Sequence, residues 1–182
     1  MEKKCELKRL DKKDLELILG WRNHPDVRKY MYTRHEISLS EHQEWFDQVS
    51  ASDSKEYFLF FLQDIPVGVI GFMDIRPDLF SCVWAFYADP AAPRGCGTLM
   101  EFFALEYIFE ERGISNLNCE VLSFNASVIK LHKKFGFTEV ETKLMGYEDA
   151  DGKKSDIVEL ALSSNDWSNQ SPIMRKKLRL DR

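Results

Sequence analysis

The sequence has little of what marks several protein classes. Its 182 residues include only 9 Gly and 6 Pro, too few for a fibrous or low-complexity chain. The four cysteines lie far apart without a Cys-x-x-Cys pair, which argues against a zinc ribbon or a disulfide framework. No window approaches the ~18 apolar residues of a membrane span, and the amino terminus has no signal-peptide core. We therefore expect a cytoplasmic protein with free thiols and no membrane association.

What the sequence does contain is typical of one globular domain, with 44% hydrophobic and 13% aromatic residues. Its net charge is -5, with five basic residues among the last eight. The remaining body is thus strongly acidic, which argues against nonspecific nucleic-acid binding. The exception is residues 21–35, here called the basic segment, which holds four cations and a single carboxylate: Arg22, Arg28, Lys29, Arg34 and Asp26. We expect one domain over residues 1–164 and a basic C-terminal tail over residues 165–182.

The pattern of apolar residues, helix caps and turns predicts the order β, α, α, β, β, β, α, β, α, β, β. The predicted strands span residues 5–10, 57–63, 67–74, 81–88, 116–122, 138–147 and 156–162. The predicted helices span residues 11–19, a stretch that begins with a capping box at Ser40 and Gln43, residues 98–111 and residues 125–134. Because residues 81–122 read strand, helix, strand, they require a parallel crossover. The expected fold is α/β (α+β), with a mixed sheet covered by helices.

The sharpest local signal is the loop Arg94-Gly95-Cys96-Gly97-Thr98, between a predicted strand and a predicted helix. Backbone N–H groups at a helix start are unpaired, and glycines let a pyrophosphate approach them. A dinucleotide fingerprint would need glycine where Met100 stands, and the P-loop pattern is also absent. Taken alone, the loop leaves a second interpretation open, that of a tight turn feeding a helix.

A second motif follows the next predicted strand, running from Glu120-Val121 through Asn125 to Leu131-His132-Lys133-Lys134-Phe135-Gly136-Phe137. The two motifs, in this order, resemble those of the GNAT acetyltransferase superfamily, [QR]-x-x-G-x-[GA] and E-V-x-x-x-N-x-x-x-x-x-L-Y-x-K-x-G-F. The resemblance covers most of residues 5–162. It implies a mostly antiparallel, seven-stranded sheet with a central parallel strand pair and about four flanking helices. The sequence departs from the pattern at Leu99, where Gly or Ala is usual, and at His132, where Tyr is common.

The resemblance implies acetyl transfer from acetyl-CoA to an amine, without a metal ion. It assigns Glu120 as general base and His132 as general acid toward the CoA thiolate. It also implies that the N–H groups of the loop are free to bind phosphate. The implied cofactor contacts are Tyr87, Ala88, Asp89, Arg94, Gly95, Cys96, Gly97, Thr98, Leu99 and Asn125. The residues alone also allow a second interpretation, in which Glu120 is a solvated strand-end carboxylate and His132 is a surface residue. An unperturbed imidazole has a pKa of ~6.5 and is largely neutral above pH 7. We therefore expect activity that needs a protonated His132 to fall at lower pH than in an enzyme with tyrosine at this position.

The acceptor is the second question. The basic segment suits a phosphate-bearing acceptor better than a cationic one, although a solvated helix face would have the same composition. Three features resemble the UDP-4-amino-4,6-dideoxy-sugar N-acetyltransferases of the pseudaminic acid pathway in flagellin glycosylation: the Trp21-Arg22-Asn23 start, the His-x-x-Trp-Phe helix and the Leu-His-Lys-Lys-Phe-Gly-Phe ending. The resemblance implies that Arg22 and His42 contact the nucleotide sugar, and that Met31 and Trp45 line its pocket.

Other functions remain open at this point. WRN-like starts also occur in acetyltransferases that modify the amino termini of ribosomal proteins, and a noncatalytic acyl-CoA-binding module would have the same fold. A zinc-protease pattern H-E-x-x-H would require histidine at Leu39, so a metal enzyme is not indicated. The expected partner is a small molecule, without nucleic acid or membrane. The sequence does not determine the oligomeric state, and a homodimer is one of the states it allows.

Overall fold

The computed structural model describes residues 4–180, which form one sheet with helices on both faces. Its strands are β1 Cys5–Arg9, β2 Glu56–Leu62, β3 Ile65–Arg76, β4 Ser81–Ala88, β5 Asn116–Leu122, β6 Thr138–Glu148 and β7 Lys154–Ser163. Its helices are α1 Leu15–Asn23, α2 Pro25–Arg28, α3 Leu39–Ser50, α4 Cys96–Glu106, α5 Ala126–Lys134 and α6 Ser164–Leu178. A π-helical turn, Tyr107–Glu111, extends α4. Within residues 4–180, no helix is long and apolar enough to cross a membrane.

The seven strands lie in the order β1-β2-β3-β4-β5-β7-β6. All neighbouring strands are antiparallel except β4 and β5, which pair in parallel only over residues 81–83 and 116–118. Beyond Val83 and Asn118 the two strands are no longer paired, so a cleft opens between their carboxyl-terminal halves. The predicted mixed sheet with a central parallel pair is confirmed.

The period-2 alternation of β2 divides the core between the two faces of the sheet. Phe58 and Phe60 belong to the larger cluster, together with α4, α5 and α6. Leu59, between them in sequence, belongs to a smaller cluster with α1 and part of α3. The amino-terminal helices therefore cover one face of the sheet, and the carboxyl-terminal helices cover the other.

Two local features near the amino terminus differ from the sequence prediction. The capping residue of α3 is Ser38 rather than Ser40, because the Ser38 hydroxyl accepts a hydrogen bond from the backbone N–H of Glu41. In the basic segment a short helix, α2, was not predicted. It begins at Pro25, and the His24 side chain caps it by accepting from the Asp26 N–H.

The residues predicted as a basic tail form a packed helix instead. Trp167 and Met174, both 0% exposed, anchor α6 on the larger core. Arg175 pairs with Glu106 of α4, and Ser171 donates to the same carboxylate at 2.8 Å. The two anchors are seven residues apart, which places them on one face of a helix. Most of the predicted tail, up to residue 178, is therefore part of the domain.

We expect Trp167→Ala to lower the free energy of unfolding by about 3–5 kcal/mol, because it removes a fully buried indole. Urea denaturation followed by circular dichroism measures this. Ile173→Ala, at a 47% exposed position of the same helix, is the matched control and should change stability by less than about 1 kcal/mol. Equal effects of the two substitutions would contradict the packing described for α6.

Candidate active site

Two cavities adjoin β4. The first, here called the α3 cavity, lies between α3 and the sheet and has a volume of about 320 Å³. The second, about 380 Å³, is the β4–β5 cleft, which follows from the divergence of those strands. The two share Met31, Ala85, Phe86 and Tyr87 in their walls. The two cavities therefore lie next to each other.

The β4–β5 cleft collects both predicted catalytic residues and several of the predicted cofactor contacts. Its lining includes Tyr87, Ala88, Asp89, Glu120, Asn125 and His132. Tyr87, Ala88 and Glu120 lie on the unpaired parts of β4 and β5, and Asp89 directly follows β4. His132 lies on α5. Asn125 precedes α5, and its side-chain oxygen accepts from the Ser127 hydroxyl at 3.2 Å. The seven-residue spacing of Asn125 and His132 thus places both at one cleft, as predicted.

Glu120 is held by two donors from distant parts of the chain. The Tyr32 hydroxyl donates to it at 2.7 Å, and Lys143 Nζ lies 3.0 Å from its other oxygen. Lys143 also pairs with Glu159 on the neighbouring strand. Burial would raise the pKa of Glu120, but the bonds from Tyr32 and Lys143 bring it below the ordinary value. Glu120 is therefore an ionised, hydrogen-bonded carboxylate at the cleft rather than a freely solvated one.

His132 is buried, only 3% exposed, so its interpretation as a surface residue is wrong. Its Nδ1 lies 2.9 Å from a carboxylate oxygen of Glu101, a fully buried residue of α4. Burial alone would lower the pKa of His132, but the Cys119 thiol and the Glu101 carboxylate raise it to about 10. The expectation of an early alkaline loss of activity assumed an unperturbed imidazole, which these contacts of His132 do not support.

The glycine loop forms the start of α4, with Gly95 in the left-handed conformation (φ = 89°) that favours glycine. The Cys96 N–H donates to Pro93 O at 3.0 Å and the Thr98 N–H to Gly95 O at 3.1 Å. Within residues 4–180, the N–H groups of Gly95 and Gly97 have no acceptor. The expectation that the Cys96 N–H is free is therefore wrong, and two donors remain for a phosphate.

Two other predicted cofactor contacts of the loop, Leu99 and Arg94, lie outside both cavities. Leu99 is 4% exposed and packs in the larger core, while its N–H points back to Gly95 O at 3.4 Å. Leu99 can therefore take the place of a small residue because its side chain faces away from the loop. Arg94 is exposed and lines neither cavity.

The α3 cavity brings together all four predicted acceptor contacts, Arg22, Met31, His42 and Trp45. Arg22 Nη2 donates to Thr33 O at 3.1 Å, whereas its buried Nη1 has no partner within residues 4–180. His42, 4% exposed, stacks on Trp45 at 4.9 Å, and its Nε2 is likewise unpartnered in the described chain. Burial lowers the pKa of both Arg22 and His42. Two residues that line this cavity thus each have a buried polar atom without a partner within residues 4–180.

Sequence reasoning missed the residues that shape this cavity from the sheet side. The Tyr57 ring lies over Gly71, where a Cβ would sit only 2.4 Å from a ring carbon. Tyr57 also contacts Trp45 edge-on, with ring centroids 5.0 Å apart. Only a glycine on β3 lets the tyrosine lie this close, although an isolated Gly in a strand pattern is itself a signal of close approach. Within residues 4–180, no group of three or more His, Cys, Asp or Glu could hold a metal ion.

Comparison with known proteins identifies the family of the chain. Residues 4–138 match the acetyltransferase (GNAT) domain family model. Acetyltransferase PseH of Campylobacter jejuni is 33% identical over 129 residues, which cover 71% of this chain and 80% of the relative.

Two solved structures show the same fold. Spermidine N-acetyltransferase from Vibrio cholerae, in complex with CoA and spermine, superposes with a TM-score of 0.83 at 18% identity, covering 91% of this chain and 98% of that one. An N-acetyltransferase from Staphylococcus aureus gives 0.74 at 21% identity, covering 88% and 99% of the two chains. The chain belongs to the GNAT acetyltransferase family and is an acetyl-CoA-dependent N-acetyltransferase.

Proposed function

We propose that this chain transfers the acetyl group of acetyl-CoA to the 4-amino group of a UDP-linked amino-dideoxy sugar of the pseudaminic acid pathway. The observation that carries the proposal is that two residues lining the α3 cavity, Arg22 and His42, each have a buried polar atom, Nη1 and Nε2, without a partner within residues 4–180. Buried polar atoms are normally hydrogen-bonded. A phosphate group, which accepts from a guanidinium, is the partner that fits them. The 33% identity to Acetyltransferase PseH supports the same acceptor.

The charge of the cavity argues against a polyamine, although spermidine acetyltransferases share the fold. The cavity has one carboxylate in its lining, Glu41, and that group already contacts His35 at 2.9 Å. Arg22 would repel a second cation. At 18% identity, the likeness to the spermidine enzyme concerns the fold alone.

The residues divide the chemistry as follows. Acetyl-CoA, when bound, supplies the acetyl group and a thiolate leaving group. Glu120, ionised at neutral pH, accepts the proton that the acceptor ammonium loses before the amine attacks. His132, protonated and fixed by Glu101, donates a proton to the leaving thiolate. Asn125 and the free N–H groups of Gly95 and Gly97 hold the cofactor end.

The acceptor class is tested by measuring CoA release with four substrates: a UDP-4-amino-4,6-dideoxy sugar, the same sugar without UDP, ribosomal-protein amino-terminal peptides and spermidine. We expect kcat/KM for the UDP-sugar to exceed that for the free sugar by about 100-fold, since charged hydrogen bonds contribute about 1.5–3 kcal/mol each. Turnover of peptides alone would instead favour the ribosomal-protein type of acetyltransferase.

We expect Lys143→Met to move the acidic limit of activity to higher pH. Lys143 is one of the groups that lower the pKa of Glu120, so its removal raises that pKa and the base becomes protonated at a higher pH. The measurement is kcat/KM between pH 4.5 and 8. Lys154→Met, on the same hairpin but paired with Glu148, is the matched control. An unchanged acidic limit in Lys143→Met would argue against Glu120 as the base.

A further inference from the structure

Glu101 lies where packing favours an apolar residue. Its neighbours on α4 are nearly or fully buried and apolar, and Glu101 itself is 0% exposed: Leu99, Met100, Phe102, Ala104 and Leu105. A charged carboxylate in such surroundings is unfavourable unless it is paired, and a buried ion pair seldom stabilises a fold more than well-packed apolar side chains do. Packing therefore does not explain why a carboxylate occupies this position.

The contacts of Glu101 point to His132. One oxygen lies 2.9 Å from His132 Nδ1, while the other has no partner within residues 4–180. The imidazole is enclosed by the rings of Trp84 and Phe137, with centroids 5.4 and 5.1 Å away. These rings leave the imidazole little freedom to turn. With Nδ1 bound to α4, Nε2 lies on the opposite side of the ring, and the residue lines the β4–β5 cleft.

We propose that Glu101 is the positioning residue of this active site: its carboxylate fixes the His132 ring with Nδ1 toward α4, and keeps on that ring the proton that the leaving thiolate receives. The proposal rests on the proposed role of His132 as general acid. The amine, already deprotonated by Glu120, bonds to the acetyl carbon, and its nitrogen loses a second proton to water as the amide forms. As the bond between the acetyl carbon and sulfur breaks, the Nε2 proton passes to sulfur. Glu101 gives up no proton, and His132 regains one from water.

Few other charges act on this pair. From β5, the Cys119 thiol is the second polar neighbour of the imidazole. From α5, Lys134 acts on Glu101 through its charge. The groups that β4 presents to the ring, Trp84 and Phe86, do not titrate. Of these groups, Glu101 is the acid in direct contact with Nδ1. Burial raises its pKa, whereas the contact with His132 and the charge of Lys134 lower it.

The departure from the family pattern explains why such a carboxylate is needed here. A tyrosine phenol keeps its proton up to about pH 10, whereas an unassisted imidazole loses its proton near pH 6.5. A histidine in the tyrosine position can act as an acid above neutral pH only if a neighbouring negative charge holds its proton. Glu101 supplies that charge from inside α4.

The test is Glu101→Gln, which keeps the size and hydrogen-bonding ability of the side chain but not its charge. We expect kcat at pH 8 to fall by about tenfold or more, with both KM values within about twofold of wild type. We also expect the alkaline limit of kcat to move to lower pH. A wild-type kcat and pH profile in this variant would overturn the proposal.

Glu56→Gln is the matched control, because Glu56 is also a buried carboxylate, 7% exposed, bonded to Tyr107 and paired with Arg9. It should alter stability but leave the pH profile in place. In the background of His132→Tyr, Glu101→Gln should lose most of its effect on kcat, since a phenol needs no partner to keep its proton. An undiminished effect there would indicate a merely structural role and contradict the proposal.

A measurement on the wild-type protein without substrates separates this proposal from the proposed function. In an NMR titration of the imidazole signals, we expect the His132 ring to remain protonated at pH 8, and to lose its proton at lower pH in Glu101→Gln. A neutral His132 ring in wild type at pH 8 would overturn the proposal. If the wild-type protein acetylates no amine, the proposed function fails, and the titration still decides whether Glu101 holds the proton.

Discussion

Replacing His132 with glutamine is expected to lower kcat by about 100-fold or more, with little change in the KM for acetyl-CoA. Loss of a general acid costs about 10²- to 10⁴-fold in rate. The glutamine amide can still donate to Glu101, so the buried carboxylate keeps a partner, but the amide holds no transferable proton. Steady-state kinetics at pH 7.5 measure the effect. His24→Gln, at an exposed position of the basic segment, is the control, and a near wild-type kcat in His132→Gln would exclude His132 as the acid.

The same role fixes the direction of the pH dependence. The pKa of His132 is raised to about 10 by its polar neighbours, so the protonated ring is present at neutral pH and is lost only as the pH rises through that value. In wild type we therefore expect no fall in kcat between pH 7 and 9 from the loss of this proton. A fall between pH 6 and 7.5 that disappears in His132→Tyr would contradict this.

Replacing Arg22 with methionine is expected to raise the KM for the UDP-sugar by about 10- to 100-fold, with the KM for acetyl-CoA unchanged. The substitution retains an apolar stem in the α3 cavity but removes the guanidinium proposed to bind phosphate, a charged hydrogen bond of about 1.5–3 kcal/mol. Initial rates with each substrate varied in turn measure the two constants.

Lys29→Met is the control for this substitution. Lys29 belongs to the same basic segment, but it is exposed, pairs with Asp26 at 2.7 Å and does not line the α3 cavity. If both substitutions raise the KM for the UDP-sugar equally, the acceptor is attracted by the overall charge of the basic segment and not by Arg22 in the cavity. An unchanged KM in Arg22→Met would contradict phosphate binding at this residue.

Local patterns predicted much of the sheet, because turn residues on either side of a strand mark where that strand begins and ends. β4 and β5 were predicted to the residue: Asp89-Pro90 ends the first, and the second begins soon after Gly113, whose φ of 67° turns the chain after the π-helical turn. The spacing of Trp167 and Met174 also indicates an amphipathic helix. Because basic residues and Pro172 lie in the same stretch, α6 was not predicted.

The residues proposed for catalysis were identified because sequence motifs surround them. Two residues that contact them were not identified, because these contacts join positions far apart in the sequence. Tyr32 reaches Glu120 from 88 residues away, and Glu101 reaches His132 across 31. Neither residue has a local pattern that marks it. The raised pKa of His132 has causes outside the motif too, since Cys119 precedes the motif on β5 and Glu101 lies on α4.

The wall that the α3 cavity shares with the β4–β5 cleft, formed in part by Met31 and Tyr87, has a consequence for inhibition. Ligands bound in two adjoining cavities can be joined by a short linker, so that binding of the first half raises the effective concentration of the second. A bisubstrate compound that links CoA sulfur to the sugar amine should therefore bind far more tightly than either half alone, and should compete with both substrates at once.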